Sequence, residues 1–89
     1  MSKFEVQDIA EARGFTLWAT INGNTLQFMD RFGINLFVKI DTAEFSLEWN
    51  IPLSIFSVKC PTCSPFNNEK HFDKIYGKFK NVIRAIVIG

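Results

Sequence analysis

Eighty-nine residues carrying ten Lys or Arg against nine Asp or Glu have a formal charge of +1. That balance excludes the strongly acidic class of nucleic-acid mimics and the strongly basic class of generic polyanion binders. An apolar fraction of 47% suffices for one core, and ten Phe, two Trp and one Tyr offset the small size, since each buried ring hides roughly 150–250 Å².

The expectation is a single domain over residues 1–89. Ser2-Lys3-Phe4-Glu5-Val6-Gln7-Asp8 is polar where the apolar core of a secretory leader belongs. No run approaches the ~18 apolar residues of a membrane span, so no membrane partner is expected. Two cysteines three positions apart close only a small loop, unlike a secreted disulfide framework, which points to the reducing cytoplasm.

Ser2-x-x-Glu5 reads as a capping box ahead of Val6, Ile9, Ala10 and Arg13 at helical spacing, and Gly14 is a C′ stop. A short first helix follows. Phe15–Ile21 and Asn24–Met29 flank Asn22-Gly23, the preferred pair for a two-residue type I′ turn. Such a turn sets Leu17 opposite Phe28 and Ala19 opposite Leu26, leaving Thr16, Trp18, Thr20, Thr25, Gln27 and Met29 on the other face.

Asp30-Arg31-Phe32-Gly33 is a short connection. Ile34, Leu36, Val38 and Ile40 alternate with Asn35, Phe37, Lys39 and Asp41 in a third strand, and Phe45, Leu47 and Trp49 alternate with Glu44, Ser46 and Glu48 in a fourth. Pro52 breaks the pattern. Residues 53–59 have no consistent apolar face and are read as a short strand. Phe72, Ile75, Tyr76, Phe79, Val82, Ile83 and Ile86 then form one apolar arc at 3.6 periodicity, with Lys70, Lys74 and Lys78 opposite. Ser64-Pro65 or Asn67-Asn68 supplies the start, and residues 85–89 fit helix or extended chain. The fold class is therefore α+β: an antiparallel four- to five-stranded meander, a short N-terminal helix and a longer amphipathic C-terminal helix covering one face. Leu17, Phe28, Leu36, Val38, Leu47, Trp49, Phe72, Ile75 and Phe79 are the expected core.

Three groups of residues bear on function. Cys60, Cys63 and His71 include every thiol and the only imidazole. A structural zinc site takes four such ligands, so this set is one short; inert thiols or a disulfide are the alternatives. Thiol redox chemistry is disfavoured because the motif follows an antiparallel meander late in the chain. Trp18, Met29 and Phe37 lie on the polar face of the sheet, where aromatic anchors in a polar surround suit a protein interface. Lys70, Lys74 and Lys78 give the last helix a basic face, a feature shared by phosphate-binding and merely solvated helices.

No phosphate loop, dinucleotide fingerprint or nucleophile elbow is present, and no catalytic set is expected. The preferred expectation is a non-enzymatic protein-binding module, monomeric or homodimeric. It would act as an inhibitor or adaptor of a larger protein, of the kind that phages and mobile elements use against host enzymes. The alternative is a small zinc-stabilised nucleic-acid-binding protein using the basic helix and the sheet aromatics.

Overall fold

The computed structural model describes residues 1–88. The elements run α1 (Lys3–Glu11), β1 (Thr16–Ile21), β2 (Thr25–Met29), β3 (Asn35–Lys39), β4 (Phe45–Asn50), β5 (Ser57–Cys63) and α2 (Glu69–Ile88). All five strands pair antiparallel with their sequence neighbours in one open meander. This is the α+β architecture the periodicities imply.

Local chemistry fixes the helix ends. The Ser2 hydroxyl accepts from the Glu5 amide at 3.1 Å. At the other end of α1, Gly14 sits at φ +87°. Its amide donates to the Glu11 carbonyl, and the Phe15 amide donates to that of Ala10. This pair of bonds is the Schellman closure, and it turns Phe15 inward to the core. Asn68 caps α2: its side-chain oxygen accepts from the His71 amide at 3.2 Å. The helix continues to Ile88, so residues 85–88 are helical and Gly89 lies outside the described residues.

Both helices pack on the same side of the sheet. Val6 and Ala10 of α1, and Phe72, Tyr76 and Phe79 of α2, share a core with Leu26, Phe28, Leu36, Val38, Phe45, Leu47 and Trp49. Rings dominate one end of this core. Phe72 lies 5.0 Å from Phe66, 5.2 Å from Phe45 and 5.7 Å from Tyr76 between centroids. Of the nine expected core residues, Leu17 and Ile75 are only half-buried and the other seven are buried.

The hairpin register departs from expectation in one respect. Asn22 and Gly23 take positive φ values of 53° and 72°, as a type I′ turn requires. Asn24, however, gives its carbonyl to Ile40 on the neighbouring connection, and Thr25 becomes the partner of Ile21. The extra residue is compensated at Trp18, a bulge between Leu17 and Ala19, so Leu17 still faces Phe28. Ala19 pairs with Gln27 instead of Leu26.

The strand read at 53–59 also moves. Residues 51–56 form a closed turn, and β5 runs over the two cysteines at 57–63. Pro61 is accommodated because β5 lies at the sheet edge and bulges there.

Candidate functional site

The register orders the uncovered sheet face into rows. Thr16, Met29, Asn35, Glu48 and Lys59 form one row, and Ala19, Gln27, Phe37 and Ser46 form the next. Met29 and Phe37 are therefore brought onto one surface and half-buried by their neighbours, while Trp18 at the β1 bulge is 67% exposed. The Gln27 amide donates to Asn35 Oδ1 at 3.2 Å, which lets Asn35 be buried on an otherwise open face. Charge on this face is balanced: Lys39 sits 3.6 Å from Glu44, and Glu48 lies across from Lys59 in the register.

Lys70, Lys74 and Lys78 are exposed on α2. Since α2 covers the core side of the sheet, the lysine face and the aromatic face look in opposite directions. A single nucleic-acid strand cannot lie on both without wrapping around the domain.

The cysteines show what a bulge can do. In a regular strand, residues three apart point to opposite faces. Here Pro61 and Thr62 together oppose Ser46, so Cys60 aligns with Leu47 and Cys63 with Phe45. Both thiols thus fall on the core-facing side, half-buried and free. Burial foremost, then the neighbouring Cys63, pushes the Cys60 thiol above its ordinary value. The Cys63 thiol donates to the Pro61 carbonyl at 3.2 Å. His71 instead packs edge-on to Phe45, with centroids 6.1 Å apart. Among the described residues, no three His, Cys, Asp or Glu side chains gather as a metal site. The expected trio of Cys60, Cys63 and His71 is therefore not assembled as a ligand set.

Two polar anchors were not anticipated from the sequence. Asp30, only 7% exposed, accepts from the Phe32 and Ile34 amides at 2.9 Å and from the Tyr76 hydroxyl at 2.5 Å. Burial, followed by the Asp30 hydrogen bond, raises the Tyr76 phenol well above its usual range. The Trp49 indole N–H donates to the Phe32 carbonyl at 3.3 Å and fixes the same turn. Arg13 joins the two helices, with Nε 2.6 Å from Asp73 Oδ1 and an Nη 3.0 Å from Glu69 Oε1. Asp-x-x-Gly at 30–33 is a recognisable turn signature, whereas nothing in the sequence names Tyr76 or Asp73 as partners.

A second unanticipated feature lies at the far end of the domain. β4 runs from the ring cluster toward Trp49, so the meander sets the 51–56 turn at the same end of the sheet as the β2–β3 turn, where Phe32 and Ile34 line a cleft with Val87 and Ile88 of α2. Phe32, Leu53, Ile55, Phe56, Val87 and Ile88 are all exposed at this pole. The periodicity of α2 assigns its whole apolar arc to the core, but Val82 and Ile86 stay exposed to 48% and 42%. No protein-family model, curated protein or solved structure matches this chain.

Proposed function

We propose that the protein is a non-enzymatic binding module that docks the uncovered face of its sheet on a larger protein, as an inhibitor or adaptor in the cytoplasm. One observation carries the reading. Both helices lie on one side of the meander, and the opposite side carries Met29 and Phe37, with exposed Trp18 at the β1 bulge, among neutral neighbours and balanced opposite charges. An aromatic anchor in a polar, charge-balanced surround fits a protein surface better than a phosphate backbone, which calls for unpaired cations.

The test is affinity capture with wild-type and Trp18→Ala baits, then titration of the captured protein. Trp18→Ala and Phe37→Ala are expected to keep the melting temperature nearly unchanged and to weaken binding by about 2 kcal/mol or more. Both variants losing stability while retaining full affinity would place these rings in the fold instead of the interface.

A further inference from the structure

The pole opposite the ring cluster has the chemistry of a lipid-surface anchor. The 51–56 turn is built: the Ile51 amide donates to the Phe56 carbonyl, that of Ser54 to Ile51, and the Ser54 hydroxyl accepts from Phe56. Pro52 is followed by Leu53 at φ +60°. A turn with Pro second and a left-handed third residue strongly favours Gly at that third place. Leu is a poor choice for the turn itself, and its side chain gains nothing from packing. Leu53 and Ile55 are exposed to 109% and 96% of their reference surface. The chain thus holds two large apolar side chains outward on a closed turn.

Charge around this tip is mainly positive, and the acid of the neighbouring turn, Asp30, is buried and held by the Tyr76 hydroxyl. Residues 51–58 carry no charge, and residues 74–88 carry Lys74, Lys78, Lys80 and Arg84 with no acid. Lys80 and Arg84 line a cleft of about 240 Å³ together with Phe32, Val87 and Ile88. Arg31 lies over the Phe32 ring at 4.8 Å. None of these cations makes a carboxylate pair among the described residues; the ion pairs belong to Arg13 and Lys39. A second copy meeting this pole head-on would bring like charges together.

We propose that this pole docks on anionic lipid membranes, with Leu53, Ile55 and the Val87-Ile88 end of α2 entering the interface and Arg31, Lys80 and Arg84 meeting phosphate headgroups. No described helix is long and apolar enough to cross a bilayer, so the contact lies on the surface. Apolar insertion combined with several cations is the two-signal arrangement that stable interfacial binding needs. A protruding apolar turn suits a fluid surface that closes around it. The docking leaves the sheet face free, so the two surfaces can be engaged together.

The test is cosedimentation of the full chain with vesicles of phosphatidylcholine alone and of phosphatidylcholine mixed with phosphatidylglycerol. Binding is expected only to the anionic vesicles and should weaken in high salt. Lys80→Glu should weaken it about fivefold or more, the factor that one headgroup-facing cation contributes. The decisive variant is Leu53→Gly, which relieves the left-handed leucine. It should match or exceed the wild-type melting temperature while losing about tenfold in vesicle affinity. Trp18→Ala should bind vesicles normally, which separates this proposal from the sheet-face reading. No pelleting with anionic vesicles, or undiminished pelleting of Leu53→Gly, would overturn it. A concentration-dependent dimer abolished by Leu53→Gly, without vesicle binding, would reassign the pole to self-association.

Discussion

The two ends of α2 are built from similar residues and do different things. At its start, Phe72 and Tyr76 are enclosed by Phe15, Phe45 and Phe66, and Arg13 clamps Asp73 and Glu69 from the neighbouring helix. At its end, Val82, Ile86, Val87 and Ile88 continue the apolar pattern with little to pack against. Apolar periodicity reports which face of a helix seeks a partner; it does not report whether the same chain provides one.

The comparison breaks most visibly on truncation. Phe72→Ala should cost about 3–5 kcal/mol, enough to unfold a large fraction of a marginal domain. Val87→Ala, equally apolar, should stay within about 0.5 kcal/mol. Thermal or urea denaturation of both variants decides the matter, and equal losses would mean that α2 is packed along its whole length.

The next effect concerns Tyr76, one turn on from Phe72. Removing its hydroxyl takes a charge-assisted hydrogen bond from buried Asp30, and Tyr76→Phe should cost about 1.5–3 kcal/mol. The same bond carries a pH signature. The folded phenol titrates above the unfolded value of about 10, so its contribution is complete below that pH and fades as pH rises through the folded pKa. Wild type should therefore lose stability in strong alkali relative to neutral pH, and Tyr76→Phe should lack that part of the loss. Parallel pH profiles for the two proteins would show that the hydroxyl is not tied to Asp30.

The smallest effect is expected at the Arg13 clamp. Its carboxylate partners are more than half exposed, so the Coulomb gain is screened despite the short contacts. Arg13→Ala should cost about 1 kcal/mol, and less in high salt. A salt-independent loss of several kcal/mol would instead assign the role to the stem and to the guanidinium over Phe72, 5.8 Å from its centroid.

Legibility in the sequence followed interaction range. The capping serine, the Gly14 stop, the Asn22-Gly23 turn and the alternation of β3 and β4 are set within a few residues, and each was readable. Readings failed where a distant backbone decided the outcome. Asn24 left the hairpin because Ile40 needed an acceptor, and that moved Ala19 and created the bulge at Trp18. β5 carries little alternation because its pattern is interrupted at Pro61, so its apolar residues gave no register. Parity sufficed for Met29 and Phe37 in the regular strands β2 and β3, whereas in β1 it ends at the Trp18 bulge. The basic, apolar pole was hidden because its parts, at residues 31–32, 53–56 and 80–88, are separate in the chain and share one end of the molecule only through the meander.

The two bulges have a further consequence, for how this sheet can grow. β1 and β5 are its outer strands, and each is interrupted near its middle, by the unpaired Trp18 in one and by Pro61, which has no amide hydrogen, in the other. An incoming strand needs an unbroken row of donors and acceptors, and neither border offers one. Ladder extension into fibrils or strand-swapped oligomers is therefore discouraged at both margins, despite a chain rich in Phe, Ile and Val. Another molecule must recognise this protein through its side chains, and selection is then free to change what they bind without exposing the backbone to aggregation.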